Sequence, residues 1–230
     1  MVLCTDVSSN QASSGQLSRP ARRSRNEGVR RAEILDAAID RFGRGGYENT
    51  KWAEIADDVG IGPTALYHYF DSKQHCLYVT LGEALGQLQE RFDSITSSHT
   101  DPGDALHAVC VDCFELSERD VMRNRVLVAE QALLSGEGSS RREEQARLTG
   151  RDETRALEIA WTSFLADAMR QGAIPERDPR MLARAILGLY NSIWHWYRPD
   201  QTLLLPTIAE FFTARMLAVA GVPPDRASAA

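Results

Sequence analysis

From residue 27 to residue 221 the apolar side chains recur every three or four positions, and no stretch alternates apolar with polar residues as a half-buried strand does. That period makes an all-α protein the expected fold class. Glycine and proline cut the run into segments. The first spans residues 27–44, with Ile34, Leu35, Ala38, Ile39 and Phe42 on one stripe, and Gly45-Gly46 stops it. Trp52, Ile55, Ala56 and Val59 follow at i, i+3, i+4 and i+7, a two-turn helix with the Thr50 hydroxyl offered as its N-cap. Gly60 ends it, and Gly62-Pro63 opens a third helix, because proline suits a first helical position where its missing N–H is not needed. On that helix Leu66, Tyr69 and Phe70 share one side, expected inside, while Thr64, Tyr67 and His68 share the other, expected in solvent.

Asp71 with Gln74 three residues on is a variant capping box, so a fourth helix is expected from near Ser72, its seam built by Leu77, Leu81, Leu85, Leu88, Phe92 and Ile95. Asp101-Pro102-Gly103 opens a helix reaching Glu115, and another covers residues 119–134 before the loop SGEGSS. A long helix over 140–171, one opened by Asp178-Pro179 and one over 206–219 complete about nine. The expected partition is a disordered basic arm (1–26), a helix-turn-helix domain (27–71), a larger helical domain for ligand and dimer contacts (72–221), and a disordered tail (222–230).

Charge is distributed unevenly. The net charge of -6 argues against a generally basic coat, yet residues 19–31 hold six arginines against one acid, whereas residues 81–230 hold 16 Arg against 22 Asp and Glu. No apolar run reaches the ~18 residues of a membrane span, and the first thirty residues lack the apolar centre of a signal peptide. The expected location is the cytoplasm, without membrane contact, where the four cysteines stay reduced.

Two short helices, a glycine turn and a third short helix describe a helix-turn-helix whose last member enters the major groove. Thr64 at the helix start then meets base edges, and Tyr67 and His68 donate to phosphates. Lys73 adds a charge contact to the DNA backbone, and Thr50 reaches phosphate from the second helix. Arg22, Arg23 and Arg25 extend the contact to phosphate or a minor groove. The stretch TKWAEIADDVGIGPTALYHYFDSKQ, within a match of about 50 residues (25–74), resembles the DNA-binding signature of TetR-family transcriptional regulators. The resemblance implies a nine-helix subunit and a homodimer that pairs its last two helices as a four-helix bundle on a palindromic operator. Where that family commonly has serine then lysine, this chain has Gly62 and Pro63, which removes two side-chain contacts and leaves the Gly62 amide at a helix N-terminus that attracts phosphate.

A single such module makes few base contacts, so a two-fold dimer reading half-sites about 34–36 Å apart is expected. Phe92, Phe114, Trp161, Phe164, Tyr190, Asn191 and Trp194 lie on the helices expected to enclose a cavity for a hydrophobic small-molecule effector. The stretch LYNSIWHWYRPD resembles the subgroup of these repressors that senses acyl-CoA or steroid-derived CoA thioesters, and on that resemblance Arg198 meets a CoA phosphate. The expected function is a repressor of double-stranded DNA released by such a ligand, with no cofactor. The alternative is a metal- or redox-responsive regulator using His107, Cys110 and Cys113, spaced three apart on one helix face. No nucleophile elbow, phosphate loop, dinucleotide fingerprint or zinc-protease motif is present, so no enzyme is expected.

Overall fold

The computed structural model describes the backbone of residues 19–222 and side chains from Asn26 onward. Among these residues there are nine α-helices and no strand: α1 Arg19–Gly45, α2 Trp52–Asp58, α3 Pro63–Leu66, α4 Lys73–Ser98, α5 Pro102–Asp112, α6 Glu118–Glu130, α7 Arg141–Arg170, α8 Pro179–Trp196 and α9 Leu205–Ala220. A 3-10 turn, Gln131–Ser135, continues α6. The first helix starts at Arg19, not at residue 27, so residues 19–26 are helical where a disordered arm was expected. Pro20 is compatible with this because it falls in the first turn, where proline is tolerated. The rest of the expected arm and the tail from residue 223 lie outside the described residues.

Two apolar clusters organise the packing. One joins Ile34, Leu35, Ala38 and Phe42 of α1 to Ile55, Ala56, Leu66 and Phe70 of the helix-turn-helix, and extends to Leu77, Leu81 and Leu85 of α4. Val126 and Leu127 of α6 and Leu134 complete it, so the reading head borrows part of its core from the larger domain. The other cluster gathers α4 through α9 around Phe92, Leu106, Trp161, Ile186, Trp194 and Met216. Helix α4, 26 residues and roughly 39 Å long, runs through both.

Helix α6 docks on α1 at Gly43, where an added Cβ would stand 2.8 Å from Met122 Cβ. Beside it, Arg125 donates to Gly43 O (2.9 Å) and to Tyr197 O (2.6 Å) at the end of α8. Arg44–Glu118 and Arg119–Asp36 ion pairs flank the contact. Gly43→Val should therefore lower stability by about 2 kcal/mol, as overpacking does at a site that cannot relax. Thermal unfolding measures it; an unchanged melting temperature would mean α1 and α6 are free to separate.

Candidate functional site

The turn between α2 and α3 is closed by backbone geometry. Gly60 adopts φ +66°, and the bonds Gly60 N–H to Asp57 O (3.1 Å) and Ile61 N–H to Ala56 O (3.0 Å) are those of a Schellman cap, which needs a left-handed residue at that position. Arg30 donates to Val59 O from α1 (3.0 Å), and Arg41 holds Asp58 through two bonds of 2.6 and 2.7 Å. Hydrogen bonding to Arg41 keeps the Asp58 carboxyl below the usual range, so one of the acids at the end of α2 is charge-neutralised.

Leu66 and Phe70 are fully buried beneath α3, while Gly62, Pro63, Thr64, Tyr67 and His68 are exposed together. Tyr67, at 56% exposure, is one of the larger apolar surfaces left in solvent. Tyr69 is intermediate, at the edge of the core. The expected outward row is thus assembled on one surface. The side chains of Arg22, Arg23 and Arg25 lie outside the described ones.

Two expected DNA contacts are corrected. Thr50 is 5% exposed and its hydroxyl donates to Gly46 O (2.8 Å); the α2 N-cap is Lys51, whose N–H meets Glu54 Oε2 (3.2 Å). Lys73 Nζ donates to Tyr47 O (2.7 Å) and Thr50 O (3.0 Å) and stands 4.1 Å over the Tyr47 ring, so its charge closes the α1–α2 loop instead of reaching outward. Both bonds bridge more than twenty residues of chain or a bend that local spacing does not reveal.

The α4 N-cap is Ser72, not Asp71: Ser72 Oγ accepts from His75 N–H (2.9 Å), and His75 Nδ1 accepts from Asp71 N–H (3.0 Å). Asp71 is released to accept from Ser140 Oγ and Arg142 Nη1, both at 2.6 Å, while Arg142 also holds Tyr69 O (2.7 Å). Buried Glu143 accepts from Ser72 Oγ (2.6 Å) and from Ser139. Burial alone would raise the Glu143 pKa, but these donors hold it below the ordinary carboxylate value. The start of α7 thus clamps the end of the reading head.

Between α4, α5, α6, α7, α8 and α9 lies a cavity of about 340 Å³. Of the expected ligand residues, Phe92, Trp161, Tyr190 and Asn191 line it. Phe114, Phe164 and Trp194 stand one layer behind: Phe114 and Trp194 meet the Tyr190 ring edge-on at 5.8 and 5.4 Å, and Phe164 meets Phe92 at 5.7 Å. Arg198, beyond the end of α8, donates from Nη1 to Tyr197 O (3.5 Å) and is not in the wall. Sequence reasoning missed the polar lining: Arg91 paired with Asp112, Arg184 paired with Glu158, and Gln131 with Thr154. Nothing in the local pattern marks these, because each pair joins two helices.

The His107, Cys110 and Cys113 alternative does not form a site: among the described residues no three His, Cys, Asp or Glu side chains come together to hold a metal. Burial pushes the Cys110 thiol well up and the Cys113 thiol to about 12, which leaves neither as a thiolate at neutral pH. No described helix is long and apolar enough to cross a membrane.

Residues 34–78 match the family model for bacterial regulatory proteins of the tetR family, and residues 99–220 that for the tetracyclin repressor-like C-terminal domain. The HTH-type transcriptional repressor KstR2 of Rhodococcus jostii is 26% identical over 201 residues, 86% of this chain and 94% of that protein. KstR of Mycobacterium tuberculosis is 28% identical over 163 residues, 71% and 68% of the two chains. Both are named as repressors and neither as an enzyme. Among solved structures, the ketosteroid transcriptional regulator KstR2 of Mycobacterium tuberculosis has TM-score 0.67 at 25% identity, covering 84% of this chain and 96% of that one. AibR in complex with isovaleryl coenzyme A and operator DNA has TM-score 0.69 at 23% identity, covering 82% and 98%, a likeness of fold.

The clamp contains one imidazole, that of His75, whose Nδ1 accepts from Asp71 N–H. Burial, with Arg142 and Arg31 nearby, holds His75 below its ordinary pKa against the pull of Asp71 and Glu143. A base depressed in the folded state contributes stability that is whole above the unfolded value of about 6.5 and is lost as pH falls through the folded one. The melting temperature should fall between pH 7 and 5, and His75→Gln, which keeps an acceptor for Asp71 N–H but does not titrate, should flatten that slope. An equal slope in the variant would remove His75 as its source.

Proposed function

The chain belongs to the tetR family of bacterial regulatory proteins, ligand-responsive transcriptional repressors, and from that premise we propose a dimeric repressor whose paired α3 helices enter successive major grooves of a palindromic operator and which an apolar effector releases. The observation that carries the reading is the exposed row of Thr64, Tyr67 and His68 above fully buried Leu66 and Phe70, held in the same chain as a 340 Å³ cavity. Arg22, Arg23 and Arg25 add phosphate contacts from the N-terminal extension of α1.

Dimerisation through α8 and α9 is supported by their exposed rows. Met181, Ala185, Gly188 and Ser192 on α8, and Thr207, Phe211, Ala214 and Ala218 on α9, recur at i, i+4, i+7 and i+11 and are all exposed in the single chain. Both rows mix large apolar residues with small ones, a surface on which helices approach closely. Met181 and Phe211 are 64% and 52% exposed, a cost that a partner removes.

The effector acts only through its different affinity for DNA-competent and incompetent dimers, and a coupling of ~3 kcal/mol changes operator affinity by about a hundredfold. Helix α4 carries that coupling, with Ser72 at the reading head and Leu88, Phe92 and Ile95 in the cavity wall. The relation to KstR2, named for ketosteroids, favours a bulky apolar effector over a small polar one. A cavity at the low end of the range for drug-sized ligands takes the apolar body and leaves a bulky charged group such as CoA outside. Its phosphates would then meet Arg184 and Arg180, not Arg198.

The test is salt-sensitive retention of DNA fragments flanking the chain's own coding region. Tyr67→Phe and His68→Ala should each weaken retention about tenfold with an unchanged melting temperature, whereas Thr50→Val should lower stability by about 1 kcal/mol. Retention indifferent to both α3 substitutions would reject this reading head.

A further inference from the structure

The cavity is apolar over most of its wall, but Arg91, Asp112, Cys113 and Tyr190 all face it. Arg91, from α4, binds the Asp112 carboxylate through Nε (2.9 Å) and Nη2 (2.7 Å), and its Nη2 also reaches Asp112 O (3.0 Å). Both carboxylate oxygens are occupied, and Nη1 takes no part in these bonds. The Tyr190 hydroxyl accepts from Asn124 Nδ2 (2.8 Å), which leaves its own hydrogen to be donated, while Phe114 and Trp194 fix the ring from its edges. Burial keeps that hydroxyl protonated. The Cys113 thiol is protonated for the same reason. One end of the cavity therefore presents guanidinium, phenol and thiol donors with no net charge, and each Asp112 oxygen already accepts from Arg91.

Arg91 and Asp112 are only part-buried in the unliganded cavity; a ligand covers their donors, and an apolar ligand alone would leave those donors without an acceptor, at a cost. A carboxylate meets no net positive charge, because Asp112 already cancels Arg91, and it would lie against the Asp112 oxygens. An uncharged carbonyl oxygen, with two lone pairs and no hydrogen to place, suits the donors. We propose that the end of the cavity formed by Arg91, Asp112, Cys113 and Tyr190 binds the carbonyl oxygen of a ketone or ester carried by an otherwise apolar effector. This rests on the reading above that the cavity is the effector site.

Three probes of one skeleton separate the possibilities: cyclododecanone, cyclododecane and cyclododecanecarboxylate. Each is titrated into the full-length protein without DNA, and binding is read from tryptophan emission, since Trp161 lies in the wall. The ketone should bind on the order of tenfold more tightly than the other two. The double variant Arg91→Met/Asp112→Leu removes the pair without stranding either charge. It should lose the ketone's advantage and keep the hydrocarbon affinity, which also reports that the cavity is intact. Tyr190→Phe should lose part of the advantage and serves if the double variant does not fold. Equal affinities, a preference for the carboxylate, or binding of none overturns the proposal. DNA retention is measured in parallel: protein that holds DNA without preferring the ketone refutes this subsite alone, and protein that prefers the ketone without holding DNA refutes the operator reading alone.

Discussion

The Arg125 guanidinium meets Gly43 O at the end of α1 and Trp194 O and Tyr197 O at the end of α8. Carbonyls at a helix C-terminus have no partner within the helix, so a part-buried end must find a donor elsewhere. One side chain supplies it for two helices of different domains. Helix α6, which carries Arg125, thereby becomes the strut on which α1 and α8 are both positioned. The neighbouring Asn124 binds the hydroxyl of Tyr190 in the cavity wall. A disturbance of that wall thus lies one residue away from the contact that orients the reading head, which is a short physical route for the coupling a repressor needs.

The elements legible in the sequence were those set by local rules. Gly60 and Gly62-Pro63 marked the helix-turn-helix because a left-handed cap and a proline-led helix start each demand a residue type at one position. The helical period likewise sorted Leu66 and Phe70 from Thr64, Tyr67 and His68. What failed depended on contacts between distant segments. Lys73, which its place at the start of α4 would turn toward DNA, instead turns back to Tyr47 O and Thr50 O. Trp194 and Phe114, which their helices bring near the cavity, buttress Tyr190 from behind. Arg198 follows Tyr197 out of α8 and is not among the residues of the cavity wall.

The same distinction explains why the cavity's chemistry escaped pattern reading. Arg91 and Asp112 are 21 residues apart on two helices, and neither is unusual where it stands. Only packing brings them to an apolar wall, where a bidentate pair offers donors without net charge. Aromatic residues, conspicuous in composition, supply shape and rigidity; the selective groups are ordinary charged residues in an uncommon setting.

Val126, Leu127 and Leu134 sit in the cluster that otherwise belongs to α1 through α4. Anyone grafting this reading head onto the sensor of a relative, to make a hybrid switch, would be cutting through a core and not along a seam. The donor's α6 face would have to travel with the graft, or the recipient's be rebuilt to the volume of those three side chains.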